Sequence, residues 1–389
     1  MITVFDVETS RYPDGSAFRP SNGMVSWAIL RDGGEVLSGY YTDADFISNL
    51  RECISKATLL IVINGKFDLH WAKRHGIEVP KGCRIWDCQT AEYRLSGQTN
   101  PFASMDSLCS LYGITGKEGG LEDYWDKGVD TKDIPEDVVV DYNVSDVRRT
   151  LAIYECQQHD PRMTPELHKL ILLQGADLLV LQKMEWNGLK YDKGRSREEA
   201  DILKKELDLI EWELYELFGC QSINLDSGDH LSCVLYGGSF SIDYFVPRTM
   251  AYKSGPRTGE TYVQNKFEKT EEYKFDGLFR PIPRSEVKKS TEERRLYQTG
   301  EPVLKQLKAG SKKQKRVIEL LLRRAYLSKL IDSFLVSLPD LMDKSDWGDY
   351  IHPQFNQVVA RTGRLSCSKP NAQQFAPEVD KFIMSRYVM

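Results

Sequence analysis

Residues 2–9 read "ITVFDVET", and their alternation decides how the chain begins to fold. In a strand, Ile2, Val4, Asp6 and Glu8 share one face while Phe5 and Val7 occupy the other. A strand apolar on both faces belongs in the centre of a sheet. Two carboxylates two residues apart at its end repel each other and resist ionisation unless positive charge lies between them. A divalent cation meets that need, and all-oxygen ligation favours magnesium or manganese. Taken alone, a D-x-E pair reads more readily as a strand running out into a solvated turn.

Strand patterning continues in "MVSWAIL" (24–30), "EVLSGYYT" (35–42) and "LLIVIN" (59–64). Helical patterns follow near 67–75, 86–95, 103–112 and 135–157. Three early strands, then strands and helices in alternation, predict a mixed α/β domain over residues 1–160. Residues 163–192 predict a long helix stopped at Asn187-Gly188 and an extended return, with a charged helix over 195–218. Residues 248–300 are rich in Lys, Glu, Gly, Thr and Tyr with poor periodicity, and read as an exposed hairpin or flexible insertion. Residues 312–341 read as one long amphipathic helix, with Leu320, Leu327, Leu330, Ile331, Phe334 and Leu338 on its apolar side.

A chain of 389 residues suits two or three domains. No apolar run reaches membrane-spanning length, and the strand-like N-terminus leaves no room for a signal peptide. The expectation is a cytoplasmic protein without a membrane partner. The eight cysteines include no CxxC pair and the six histidines form no ligand cluster, so reduced thiols are expected rather than a zinc site. The net charge of −5 conceals a split. Residues 1–160 hold 25 Asp/Glu against 16 Lys/Arg, whereas residues 248–330 hold 21 Lys/Arg against 10 Asp/Glu. That division fits a metal-dependent phosphodiester enzyme joined to a holder of polyanions. Two solvated surfaces of opposite sign fit the counts equally well.

Two further carboxylates stand out. In "NGKFDLHW" (64–71), Asp68 lies just beyond a buried-looking strand, in a first helical turn, where α/β domains gather their chemistry. Alone it reads as an acid favoured at a helix start. In "VVVDYNVSDVRRTLAIYE" (138–155), Val140, Val144, Val147, Leu151 and Tyr154 form one stripe. Tyr142 and Asp146 are neighbours at i, i+4 on the side opposite Val144.

Together, Asp6-Val7-Glu8-Thr9, Asn64-Gly65-Lys66-Phe67-Asp68 and Tyr142-Asn143-Val144-Ser145-Asp146, in this order, resemble the DEDD 3′–5′ exonucleases with a tyrosine in the last motif. The resemblance covers residues 1 to about 160 and implies a ribonuclease H-like fold and a two-metal mechanism. By the family's pattern Asp6 bridges both cations, Glu8 and Asp146 complete the first site, and Asp68 supports the second. Tyr142 and Glu8 would orient the attacking water, and Thr9 and Asn64 would contact the terminal nucleotide. The implied product is a nucleoside monophosphate released from a 3′ end.

The rest of the chain resembles family A DNA polymerases. Residues 164–192 are similar to their segment joining the proofreading and polymerase parts, and "INLDSGDHLSCVLYGG" (223–238) to the stretch before their thumb. "YQTGEPVLKQL" (297–307) and "RAYLSKLIDSFLVSLPDL" (324–341) look like thumb helices. "HPQFNQVVARTGRLSCSKPNAQQFA" (352–376) resembles the TGRLS…PN-x-Q signature at the start of the palm. The resulting division is 1–160 exonuclease, 161–345 a mostly helical thumb region with an inserted segment at 248–300, and 346–389 the first strands of the palm. The insertion is more similar to phage members of the family than to bacterial ones, which would place the protein in a host cytoplasm.

The expected partner is DNA, as a single-stranded 3′ end and as primer–template duplex. Lys312, Lys313, Lys315 and Arg316 offer cations on the thumb, and Arg361, Arg364, Ser366 and Asn371 offer donors to the backbone. Gln373 or Gln374 would probe the minor groove, contacts that fix position and tolerate sequence. The sequence departs from the family at Ala372, Gln374, Phe375 and Ala376. "EVDKFIMSRYVM" looks like the strand before the first palm aspartate, so polymerase activity is expected only with a second chain or the remaining C-terminal part. The alternative is a non-catalytic DNA-gripping subunit or scaffold of a split polymerase. An RNA-processing nuclease fits the TGRLS segment less well.

Overall fold

The computed structural model describes residues 1–116, 120–251, 260–282 and 296–384. They form two compact units, one of Met1–Arg195 with the described residues from Leu338 onward, the other of Ser196–Ser337. These limits follow packing rather than the boundaries near 160 and 345 drawn from the sequence.

The first unit begins with β1 (Ile2–Thr9), β2 (Met24–Arg31), β3 (Val36–Tyr40), α1 (Phe46–Ser55), β4 (Leu59–Val62) and α2 (Lys66–Arg74). It continues through β5 (Arg84–Asp87), α3 (Cys88–Leu95), α4 (Met105–Tyr112), α5 (Glu122–Trp125), α6 (Glu136–Gln158), α7 (Pro165–Asn187) and β6 (Leu189–Tyr191). The sheet runs β3-β2-β1-β4-β5. β1, β2 and β3 are antiparallel, whereas β4 and β5 join parallel. β1 is central, as its double-sided apolar pattern requires, and the sheet has the ribonuclease H-like arrangement that the resemblance implies.

Each face of the sheet is covered. Phe5, Trp27, Leu60 and Ile85 pack with Leu50 of α1 and Trp71 of α2 on one side. Val4, Ala28, Ile61 and Trp86 pack with Leu108 of α4 and Val147 and Ile153 of α6 on the other. α7 gives Leu178 to the first cluster and Ile171 to the second, so it closes the β5 edge. Thr164 caps α7, accepting from the Leu167 N–H, and Pro165 occupies its first turn. The helix expected over 86–95 starts at Cys88, because Arg84–Asp87 pair with β4 as a strand. Four residues are too few for a period to show against the helix that follows.

The second unit holds α8 (Lys193–Phe218), α9 (Gly228–Tyr236), the hairpin β7 (Gly238–Ala251) and β8 (Thr261–Phe275), α10 (Glu301–Leu304) and α11 (Lys312–Leu330). The hairpin expected within 248–300 therefore opens ten residues earlier, at Gly238. Residues 252–259 and 283–295, which also fall in that segment, lie outside the described residues. Arg316 pairs with Glu213 and Arg323 with Glu206, so contacts climbing α11 descend α8 and the two helices are antiparallel.

The single helix expected over 312–341 is instead α11, a π-helical stretch at Ile331–Val336, and α12 (Ser337–Lys344). The cause is Pro339, which has no N–H to donate and crowds the carbonyl four residues back. That carbonyl, of Leu335, accepts from the buried Ser196 hydroxyl at 3.0 Å. After α12 come β9 (Tyr350–Ile351), β10 (Gln354–Asn356), β11 (Ser366–Ser368) and β12 (Ile383–Met384). β12 and β9 flank β6 in a small antiparallel sheet, while β10 pairs with β11. Of the tail read as a palm strand, residues 385–389 lie outside the described residues. No described helix is long and apolar enough to cross a membrane.

α7 crosses β5 at Gly175, where a Cβ would stand 2.2 Å from the carbonyl oxygen of Ile85. Alanine at this position gains about 1 kcal/mol of helix propensity. Backbone cannot move aside as a side chain can, and overpacking costs about 1–3 kcal/mol or more. Gly175→Ala is expected to lower the melting temperature by several degrees, at about 2–4 °C per kcal/mol. An unchanged or raised midpoint in thermal denaturation would contradict this account of the α7–β5 contact.

Candidate active site

β1 presents Asp6 and Glu8 on one face, opposite Ala28 and Ser26 of β2. α6 brings Asp146 to the same place, and one oxygen from each of the three carboxylates lies within 4.8 Å of the others. Asp146 is buried, and Asp6 and Glu8 are half-buried. Arg149, three residues on, donates from Nη2 to Asp146 Oδ1. Burial works against the Arg149 charge, but the bond and the field of Asp146 outweigh it and raise its pKa.

Asp68 approaches from the other side of β1. It is 3% exposed, and its Oδ1 accepts from the Val7 N–H at 3.2 Å. Burial first, then the charge of Asp6, pushes this carboxyl well above its usual range. It stands outside the three-carboxylate group, yet close enough to feel that group's field.

The loop before α2 sets where Asp68 stands. Asn64 has φ of 53°, and Gly65 is packed so tightly that a Cβ would lie 2.2 Å from Val62 Cγ2. Gly65 N–H donates to Asp87 Oδ2 at 2.8 Å, while Asp87 Oδ1 accepts from Thr90 N–H at 2.8 Å. One buried carboxylate therefore fixes the start of α2 and caps α3.

Tyr142 is half-buried on α6. Its hydroxyl donates to Glu122 Oε1 at 3.2 Å, and its ring meets Trp125 edge to face. Burial, then the charges of Asp146, Glu8 and Glu122, raise the phenol's pKa. Beside Glu8 and Thr9 opens a cleft lined by Arg11, Tyr12, Phe67, Trp125 and Thr131. The Arg11 guanidinium lies 4.4 Å from the centre of the Trp125 ring. Thr9 is buried, its hydroxyl donating to the Ser10 carbonyl at 3.4 Å.

The residues read as DNA contacts fall in both units. Arg361, Arg364, Gln373 and Gln374 are exposed, and Ser366 and Asn371 are half-buried. The Asn371 carboxamide oxygen accepts from Gln373 N–H at 3.2 Å. In the second unit Lys312, Lys313 and Lys315 are exposed, whereas Arg316 makes a two-pronged ion pair with Glu213 at 2.7 Å.

Sequence reading passed over Arg149, Asp87 and Gly65. The i, i+3 spacing of Asp146 and Arg149 was a usable signal, and so was an Asp preceding a helix. Nothing local marked the contact between Gly65 and Val62.

The donor set tests whether a cation fits. Three carboxylates within one ion's reach, a fourth whose charge is suppressed by burial and by Asp6, and no nitrogen or sulfur ligand among them suit a hard divalent cation.

Residues 5–157 match the model of the 3′–5′ exonuclease family, and the first unit carries a 3′–5′ exonuclease domain. Residues 275–386 match the model of DNA polymerase family A. The chain thus carries an early stretch that matches the 3′–5′ exonuclease family and a later stretch that matches DNA polymerase family A. DNA polymerase I of Synechocystis sp. is 26% identical over 319 residues, covering 80% of this chain and 26% of that protein. DNA polymerase I of Treponema pallidum is 25% identical over 325 residues, covering 83% of this chain and 27% of that protein. The chain therefore spans about a quarter of the length of the curated relatives it matches. In structure it resembles the POL domain of Pol1 from M. smegmatis, in complex with DNA primer-template and dNTP. That match has a TM-score of 0.61 at 17% identity and covers 98% of this chain and 53% of the other.

The raised pKa of Asp68 gives a signed expectation. A carboxyl that holds its proton more tightly when folded favours the fold below its ordinary pKa of 3.8, and that advantage is lost as pH rises through the elevated value. In chelator, stability should fall as pH rises toward neutrality, and magnesium should restore it. Asp68→Asn should raise the melting temperature at pH 7 by a few degrees in chelator and flatten the pH dependence. A lower midpoint for a folded Asp68→Asn chain would show that this carboxylate is not a strained group.

Proposed function

We propose that the chain removes nucleotides from the 3′ end of DNA, as the proofreading part of a family A polymerase. The observation that carries the reading is the meeting of Asp6, Glu8 and Asp146 within 4.8 Å, with Asp68 buried behind them. Two divalent cations, magnesium or manganese, would be held by Asp6, Glu8 and Asp146 with support from Asp68. When bound they supply charge neutralisation at the scissile phosphate and a more acidic water.

The chain's own groups do the rest. The cleft beside Glu8 offers Phe67, Tyr12 and Trp125 as faces for the terminal base, with Thr9 in its lining; Asn64 would add a further contact to the terminal nucleotide. Glu8 accepts a proton from the attacking water, and the Tyr142 hydroxyl orients that water once it leaves Glu122. Arg149 keeps Asp146 aimed.

Primer–template duplex is the proposed second form of substrate. Arg361, Arg364, Ser366 and Asn371 would hold its backbone, Gln373 or Gln374 would face its minor groove, and the lysines of α11 would add charge. Nucleotide addition would draw on a further part of the palm and fingers, whether in the same protein or in a second chain.

Asp6→Ala is expected to lower exonuclease turnover by at least about 10³-fold, since two cations lose a shared ligand. Near-native hydrolysis of a 5′-labelled single strand by that variant would overturn the assignment. Tyr142→Phe should slow single-turnover cleavage about 10- to 100-fold while DNA affinity holds. A change in stability alone would make the tyrosine structural. Mispaired 3′ ends should be trimmed faster than paired ones, because unpairing costs energy that a mismatch has already avoided. Equal rates on both would contradict strand separation before cleavage.

A further inference from the structure

Glu185 lies near the end of α7, 2% exposed, with both carboxylate oxygens engaged. Oε1 accepts from Lys66 Nζ at 2.5 Å and from the Phe355 N–H at 2.6 Å. Oε2 accepts from His70 Nε2 at 2.8 Å. That leaves His70 Nδ1 as the acceptor facing Gln182 Nε2, at 3.5 Å. Lys66 Nζ also donates to the Phe355 carbonyl, and His352 Nδ1 donates to the Glu185 carbonyl at 2.8 Å.

A buried carboxylate with three donors can be purely structural, and removing one partner of such a set is costly for that reason alone. The placement of these donors argues for more. Lys66 opens α2, His70 follows at i+4, and Asp68 lies between them on the same turn. Asp68 reaches back to the Val7 N–H of β1, so that turn must stand at a fixed distance from the strand carrying Asp6 and Glu8. Glu185 is the fixed point behind it. The third donor belongs to β10, whose partner β11 follows the loop of Arg361 and Arg364.

We propose that Glu185 is a positioning residue of the exonuclease centre. It pins the first turn of α2 through Lys66 and His70 and so holds Asp68 against β1, with β10 sharing the same carboxylate. The inference rests on the exonuclease reading above. Ligand-supporting residues of this kind change metal affinity or activity by about 10- to 100-fold when removed.

The test uses the intact chain with Glu185→Gln and His70→Asn. Three quantities are measured: manganese affinity by calorimetry, amide exchange over residues 64–69, and single-turnover cleavage of a single-stranded oligonucleotide against magnesium concentration. For Glu185→Gln, manganese affinity should fall about 10- to 100-fold. Half-saturating magnesium should rise, exchange should quicken, and KM for the oligonucleotide should hold. His70→Asn keeps the Lys66 arm and should shift manganese affinity the same way by less. If Glu185→Gln does not fold, His70→Asn decides alone. Unchanged manganese affinity in the folded variants, with only a lower melting temperature, would overturn the inference. A wild-type chain without exonuclease activity, or an Asp6→Ala chain that keeps it, would overturn the exonuclease reading instead.

Discussion

The structure of the first unit depends on holding negative charges together. At an effective dielectric near 20, two unit charges 4.8 Å apart repel by about 3 kcal/mol. A single internal hydrogen bond contributes only about 1 kcal/mol. No one contact therefore keeps the carboxylates in place, and the fold supplies several. Arg149 holds Asp146. The Val7 N–H holds Asp68, and Asp87 anchors Gly65 at the start of its helix. Glu185 backs the same helix through Lys66 and His70.

How legible this was differs from residue to residue. β1 declared itself, because a central strand needs apolar residues on both faces and a functional end needs charge at its limit. α6 and α7 declared themselves by period and by their stops. Asp6, Glu8, Asp68, Tyr142 and Asp146 were visible as spacings whose meaning lay in their order along the chain. β5 was hidden, since "RIWD" is four residues long and abuts a helix. The π-helical stretch was hidden too, although Pro339 stood in plain view. A proline inside an apolar period says that something must yield but not which carbonyl will take another donor. Glu185 was least legible. Its partners are more than a hundred residues away, and a lone Glu in "QKMEWNG" looks like any exposed helical acid.

The surplus of Lys and Arg over residues 248–330 is partly spent within its own unit. Arg316 and Arg323 pair with Glu213 and Glu206, and Arg324 pairs with Glu211 and Asp226. The Arg316 and Arg323 pairs are largely exposed, so neither adds much to stability. The apolar seam of Val317, Leu320, Leu321 and Leu327 is the stronger bond of α11 to its unit. The effect on a polyanion is larger than the effect on stability, because a paired arginine neutralises a phosphate only by giving up its carboxylate. Lys312 and Lys313, at the start of α11, are exposed.

The packing of the late segment against the early one gives the motif order a physical sense. Ile383 and Met384 pair with Tyr191 and Lys190, Gln357 donates to the Gln174 carbonyl, and Phe355 donates to Glu185. Residues that the sequence separates by nearly two hundred positions are thereby parts of one compact body. The strand leading toward Arg364 and the helix carrying Asp68 share one carboxylate oxygen, so neither can shift without loosening a buried charge. Breaking such a contact costs more than an exposed pair ever contributes. The α2 turn and β10 need no long pathway between them, only this one shared acceptor.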